Sequence, residues 1–222
     1  MNEHPYLPRN LRIQGFVRNE MPVWWILSVL ATSVSVVLSV TWMAAGRWMP
    51  HVGVPRRLAV CWFVLCAFIH LGIEGWFVVF HRDIPGDASF LSQLWKEYSK
   101  GDSRYIIGDT FTVCMEGVTA VFWGPLSAFT AFAFLRGLSS RYVLQLCLSL
   151  GQLYGLVLYF ITEWLDGFQH TDPGHPLHFW FYFFFLNALW LVVPVTLITD
   201  AALELSSAQL SKDARLAQHK RQ

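Results

Sequence analysis

Five long stretches with almost no formal charge dominate this chain of 222 residues. Within all five, Glu74 and Glu116 are the only charged side chains. A helix needs about 20 apolar residues to cross the hydrocarbon core of a bilayer, and each stretch is long enough. The pattern therefore predicts five transmembrane helices. The stretches are residues 21–46, 58–81, 110–135, 142–162 and 173–199.

The predicted fold is all-α: a polytopic membrane protein with a five-transmembrane-helix bundle, forming a single membrane domain over residues 1–222. Charged residues make up 14% of the chain, against about a quarter in typical soluble domains, so lipid must solvate much of its surface. The formal net charge of +1 provides no basic surface for nucleic acid, and we expect membrane lipid to be the main partner. The predicted spans are approximately residues 24–45, 58–80, 111–135, 142–162 and 177–199.

The distribution of Lys and Arg predicts the orientation of the chain. With five crossings, the first loop, the third loop and the C-terminus share one side of the membrane. They carry nine Lys and Arg residues, against seven on the other side. Because cytosolic loops are enriched in these residues, we expect the C-terminus to lie in the cytosol.

A few polar side chains remain within the predicted spans, and they carry the functional prediction. An ionisable group in the bilayer costs about 3 kcal/mol or more unless it is paired or neutralised, so such residues are candidates for a functional site. Residues three or four apart share a helix face, which groups these residues into three polar faces on three helices. The candidates are His70, Glu74, Thr112, Glu116, Thr119, Asn187 and Trp190.

The two intramembrane acids are expected to be neighbours. Glu74 precedes Arg82 by eight residues and Glu116 follows Asp109 by seven, which places both roughly 10–12 Å from the same loop. Two carboxyls at one depth in a low dielectric cannot both ionise cheaply, so an acid and a base coexist there. With Trp190 offering a π surface to a cation, this chemistry suits isomerisation of a double bond through a carbocation.

Other interpretations of these residues stay open. Each polar side chain can be a structural hydrogen-bonding group, as we expect for the Thr112 hydroxyl, which would bond the preceding turn. His70 and Glu74 can also ligate one metal ion, although we expect no metal and no cofactor. An ion or solute transporter is disfavoured, since the acids cluster at one depth. The loop aromatics Trp95, Tyr98 and Tyr105 are expected either to cover the mouth of a cavity or to anchor the chain at the membrane interface.

Four long blocks carry a resemblance that runs from residue 4 nearly to the end of the chain. They are FIHLGIEGWFVVF (68–80), FLSQLWKEYSKGDSRYIIGDTFTVCMEGVTAVFWGPLS (90–127), GQLYGLVLYFITEWLDGFQH (151–170) and GHPLHFWFYFFFLNALWLVVP (174–194). The chain resembles the EXPERA family of membrane proteins, and within it the emopamil-binding branch, whose vertebrate members are 3β-hydroxysteroid Δ8,Δ7-isomerases. The EXPERA-type core would cover about residues 58–200.

The resemblance implies an enzyme of cholesterol biosynthesis with an intramembrane sterol cavity. Such an enzyme moves the double bond of Δ8 sterols such as zymosterol from C8 to C7, by protonation at C9 and proton loss at C7, with positive charge developing at C8. It needs neither cofactor nor metal. The family's important residues match His70, Glu74, Glu116, Thr119, Asn187 and Trp190 here.

The resemblance also implies partners and a location. These are lipophilic amine drugs such as tamoxifen, a second copy of the chain in a homodimer, a sterol reductase, and the endoplasmic reticulum membrane or the nuclear envelope. The alternative is a non-catalytic membrane receptor or chaperone for sterols and amine ligands.

Overall fold

Residues 4–220 are described by the computed structural model, and this part of the chain folds into helices and loops without strands. Five of its helices are long and apolar enough to cross a membrane, which confirms the predicted fold class. We number these spans 1 to 5 in chain order. They are Val23–Trp48, Val54–Phe80, Thr110–Leu135, Arg141–Leu165 and Pro176–His219.

Span 5 is longer than the sequence pattern predicts. The apolar stretch ends near residue 199, whereas the helix continues to His219. Residues 200–219 are rich in Ala and Leu, which favour helix without requiring an apolar face. The first of the added turns still packs in the bundle, whereas residues 206–219 are exposed.

Three of the spans contain a wide turn of π-helix, a feature that the sequence analysis does not anticipate. π turns interrupt α-helices mostly at functional sites, because they re-aim the side chains around them. In span 3, Pro125 lies two residues after the π turn ends, and its missing N–H removes one α-helical hydrogen bond there. The π turns are Ile69–Glu74, Thr119–Trp123 and Pro176–Phe185. The α-helices are α1 Val23–Trp48, α2 Val54–Phe68, α3 Gly75–Phe80, α4 Phe90–Tyr98, α5 Arg104–Ile107, α6 Thr110–Val118, α7 Gly124–Leu135, α8 Arg141–Leu165 and α9 Leu186–His219.

The bundle is held by helix pairs and by one polar cluster at the end opposite the predicted site. Helix α8 packs along α9, α2 along α7, and α1 against α2. At the start of span 2, Arg56 pairs with Asp200 and Glu204 of α9, and the Gln145 amide donates to Asp200 at 2.8 Å. This cluster fixes spans 2, 4 and 5 to one another far from Glu74.

A lid, which we define as residues 90–107, covers the other end of the bundle. The Trp95 indole Nε1 donates to the carbonyl oxygen of Ile73 at 2.9 Å, within the π turn of span 2. A Cβ atom on Gly101 would lie only 2.8 Å from the backbone oxygen of His178, so a glycine is needed where the lid meets span 5. The lid is therefore in direct contact with spans 2 and 5.

The N-terminal segment, residues 4–22, is hydrogen-bonded to the lid and holds it against the bundle. The buried Lys96 ammonium donates to the Val17 carbonyl oxygen at 3.0 Å, and the Gln93 side-chain oxygen accepts from the Glu20 backbone N–H at 2.9 Å. These contacts place the N-terminal segment and the loop between spans 2 and 3 on one side of the bundle, as five crossings require.

A buried ionic network ties the lid to span 4 and to the loop that follows it. Arg104 pairs with Asp102 at 2.7 Å, and its Nε lies 3.5 Å from the Glu163 carboxylate. The Tyr159 hydroxyl donates to Asp102 at 2.7 Å, and the His170 ring lies 3.1 Å from Glu163. Because the charges alternate in sign, this buried cluster is electrostatically compensated.

We predict that His170 stabilises the fold more at low pH than at high pH. Its hydrogen bond with Glu163 raises the pKa of His170 above the ordinary value of about 6.5. A raised pKa means that protonation favours the folded state; this stabilisation is complete below about pH 6.5 and is lost as the pH rises through the folded-state value.

The measurement is thermal unfolding of the parent and of His170→Gln in detergent at about pH 6 and about pH 9. The Tm difference between the two proteins should be larger at the lower pH by on the order of 2 °C, since a partly solvated ion pair contributes under about 1 kcal/mol. His51→Gln, in the exposed turn between spans 1 and 2, is the control. An equal Tm difference at both pH values would contradict the prediction.

Candidate active site

His70 and Glu74 form the first element of the site, within the π turn of span 2. His70 Nδ1 lies 2.7 Å from Glu74 Oε2, so the two residues that share a face in the sequence do bond to each other. The His70 side chain is 2% exposed and that of Glu74 is 13% exposed. The pair is therefore shielded, and its hydrogen bond is strengthened by the low local dielectric.

Glu116 brings a second carboxyl to the same place from span 3. It lies near the end of α6, is 5% exposed, and approaches Glu74 within hydrogen-bonding reach while also facing His70. The structure therefore brings the two acids together, as their equal distance from one loop predicts. Two carboxyls this close in a dry site cannot both be charged without a large cost.

The lid supplies a hydrogen-bond donor to this pair. The Tyr105 hydroxyl donates to Glu116 Oε1 at 2.6 Å, and the Tyr105 ring stacks on Trp95. Burial, with a smaller contribution from Glu116, raises the pKa of Tyr105 well above its usual value. The phenol therefore stays protonated and keeps donating to the carboxyl. The lid aromatics cover the site, as one of the two sequence-based interpretations predicts.

Gln152 of α8 completes the surroundings of His70. Its side-chain nitrogen lies 3.0 Å from His70 Nε2, on the ring edge opposite Glu74, and the residue is buried. The sequence analysis misses Gln152, although a glutamine within an uncharged apolar stretch is itself a polar signal.

Trp190 and Asn187 enter the site from span 5. The Trp190 ring centroid lies 6.2 Å from that of His70 and 5.2 Å from that of Trp62. Its indole N–H is buried and has no acceptor within residues 4–220. The Asn187 amide donates to the Tyr98 hydroxyl at 2.9 Å and to the Phe183 carbonyl oxygen at 2.7 Å. Asn187 thus connects the lid with the π turn of span 5.

The two threonines have different partners. The Thr119 hydroxyl lies one helical turn from Glu116 and donates to the Met115 carbonyl oxygen at 2.9 Å. Thr112 is structural, as expected, but its bonds at the start of α6 are to the capping carboxylate of Asp109 rather than to a backbone carbonyl of the preceding turn. Thr119 lies three residues after Glu116, which places the two on one helix face, and its lone pairs are available to accept a hydrogen bond.

A second group of potential metal ligands lies where span 4 ends. The ligand atoms of Glu163, Asp166 and His170 lie within 4.8 Å of one another, but the Arg104 guanidinium is 3.5 Å from the Glu163 carboxylate. A positive charge at that distance already compensates Glu163 and opposes a cation. We therefore assign the group to the ionic network that holds the lid.

Comparison with known proteins identifies the family of this chain. Residues 90–201 match the family model of EXPERA, the expanded EBP superfamily. A guinea pig (Cavia porcellus) protein named 3-beta-hydroxysteroid-Delta(8),Delta(7)-isomerase is 53% identical over 98% of this chain and 95% of its own length. The rat (Rattus norvegicus) protein of the same name is 55% identical over 96% of this chain and 93% of its own length.

A plant relative carries a different name. The isomeliandiol synthase of Ailanthus altissima is 38% identical over 73% of this chain and 76% of its own length. The family match covers half of the chain, and the two mammalian relatives extend over nearly all of it. The chain belongs to the EXPERA family of membrane proteins.

Proposed function

We propose that this chain is a sterol Δ8,Δ7-isomerase that moves the double bond of a 3β-hydroxysteroid from C8 to C7. The observation that carries the proposal is the contact of Glu74 with Glu116 beside His70 in a buried site. The names of the mammalian relatives support the same reaction. The plant synthase is another named member, which makes the sterol specificity a matter for experiment.

The two carboxyls divide the proton chemistry. One carboxylic acid donates a proton to C9, which leaves positive charge at C8, and the other, as a carboxylate, accepts the proton that leaves C7. One proton is added and one is removed, so the sterol keeps its formula. Because the carboxyls lie within hydrogen-bonding reach, the accepted proton can return to the donor through their shared contact or through His70.

The neighbouring residues tune these two groups. His70 holds Glu74 on one side, while Tyr105 donates to Glu116 on the other, and Thr119 follows Glu116 by three residues along span 3. A phenol that donates to a carboxylate stabilises its charged form and orients its free oxygen. Asn187 acts through Tyr98 to keep the lid in place over the reacting carbons.

Trp190 and the lid protect the cation. The π face of a tryptophan attracts a positive charge, most strongly where water is excluded. The indole lies against His70 and Trp62, and the lid aromatics cover the site from the loop side. An intermediate with charge at C8 is thereby stabilised without a water molecule to capture it.

The finer parts of the proposal rest on the resemblance and on the charge pattern. We assign the sterol a cavity between spans 2, 3 and 5 beneath the lid, with zymosterol as a representative substrate. We assign the protein to the endoplasmic reticulum membrane, with its C-terminus in the cytosol. A homodimer and an association with a sterol reductase belong to the same proposal.

Replacement of either acid should abolish isomerisation. Glu74→Gln and Glu116→Gln remove the titrating group but keep its shape, and we expect turnover to fall by at least about 1,000-fold in each. The measurement is gas chromatography of sterols from cells that lack Δ8,Δ7-isomerase and express each variant with zymosterol available.

The matched control is Glu204→Gln, which pairs with Arg56 at the opposite end of the bundle and should retain parental turnover. If the parent forms no Δ7 sterol, the chain is a receptor or chaperone and the proposed function is wrong. Near-normal turnover in both site variants would instead refute the roles of the acids.

The same site should bind lipophilic tertiary amines, whose ammonium resembles the charge at C8. Glu74→Gln and Trp190→Ala each remove an attraction for that ammonium, and we expect affinity to fall about 10-fold or more. Competition with a radiolabelled amine such as tamoxifen in membranes measures this. Trp24→Ala, on the outward face of α1, should bind as the parent does. Unchanged affinity in both site variants would rule out this mode of binding.

A further inference from the structure

Gln152 is a polar side chain of span 4 that bonds to His70. It lies in the middle of α8 (Arg141–Leu165), 5% exposed, and its side-chain nitrogen is 3.0 Å from His70 Nε2. A second buried glutamine, Gln145, lies two turns earlier on the same helix and bonds to Leu197 and Asp200 instead. The helix thus offers a matched pair of residues, one at the site and one remote from it.

The two ring nitrogens of His70 have different partners. Nδ1 lies 2.7 Å from the Glu74 carboxylate. An ionised carboxylate can only accept a hydrogen bond, so the ring must donate from Nδ1. Nε2 faces the amide nitrogen of Gln152, which can only donate. With the amide in this orientation, the arrangement fits a neutral ring that carries its proton on Nδ1.

The other end of the amide is unused. Gln152 Oε1 is buried and has no hydrogen-bond partner within residues 4–220. A half-turn of the amide exchanges its oxygen and nitrogen within the same volume and brings Oε1 against Nε2. In that orientation the amide accepts from an Nε2–H and so matches a ring protonated on both nitrogens.

We propose that Gln152 is a positioning residue for His70, supporting both protonation states of the ring as it passes protons during isomerisation. The inference rests on the proposed function and deepens it. Besides Gln152, the ring faces Glu74 and Cys66 on its own span, Glu116 from span 3 and Trp190 from span 5. Gln152 alone among these neighbours has a side-chain amide, which offers a donor on one side and an acceptor on the other.

The replacements that test this positioning role are Gln152→Met and Gln152→Glu. Methionine keeps the length of the side chain but supports neither state, whereas an ionised glutamate only accepts. We expect kcat to fall about 10-fold to 100-fold in both variants. This is the change in rate that corresponds to the free energy of one hydrogen bond to a charged group. KM should stay within about 3-fold of the parent, because Gln152 orients His70 and does not itself hold the sterol.

Zymosterol turnover by the purified full chain in detergent measures both constants, with binding of a radiolabelled tertiary amine as the measure of folded sites. Gln145→Met is the control and should keep the parental kcat per folded site.

A kcat within about 2-fold of the parent in both Gln152 variants would overturn the proposal, as would an equal loss of kcat in Gln145→Met. If the parent itself is inactive, it is the proposed function that fails. If Gln152→Met does not fold, the kcat of the isosteric variant Gln152→Glu alone tests the proposal.

Discussion

The contact between Glu74 and Glu116 is the interaction on which the rest of this structure depends. Carboxyl groups are costly in a bilayer, and a pair in contact is tolerable only when protons and hydrogen bonds are shared among them. His70 on one side and Tyr105 on the other provide those hydrogen bonds. The arrangement keeps an acid and a base together in one dry place, which is what proton addition and removal on a hydrocarbon requires.

The architecture around the pair keeps it closed. The lid is bonded to the π turn of span 2 through Trp95, to span 5 through Asn187 and Tyr98, and to span 4 through Arg104. The N-terminal segment holds the outer face of the lid through Lys96. Since the site carries cation chemistry in this account, these contacts exclude water as well as stabilise the fold.

Much of the fold and part of the site are predictable from the sequence, because charge is so rare in it. The five spans follow from the uncharged stretches, and the meeting of Glu74 with Glu116 follows from counting residues to a common loop. Gln152 is not predictable in this way, since its contact with His70 joins residues 82 positions apart in the chain. Tyr105 lies in the lid, outside the uncharged stretches that define the candidate residues, so its bond to Glu116 is not predictable from them either. The π turns have no periodic signal either, and residues 200–219 are helical by propensity alone.

The most direct test of the account is the origin of the hydrogen at C9. The enzyme, equilibrated in D₂O and held in molar excess over zymosterol, should convert it in one turnover to a Δ7 product with one deuterium, located at C9. Mass spectrometry and nuclear magnetic resonance of the product locate the label. A product without deuterium at C9, or with the C7 hydrogen transferred directly to C9, would show that the carboxyls do not supply the proton and would contradict the account.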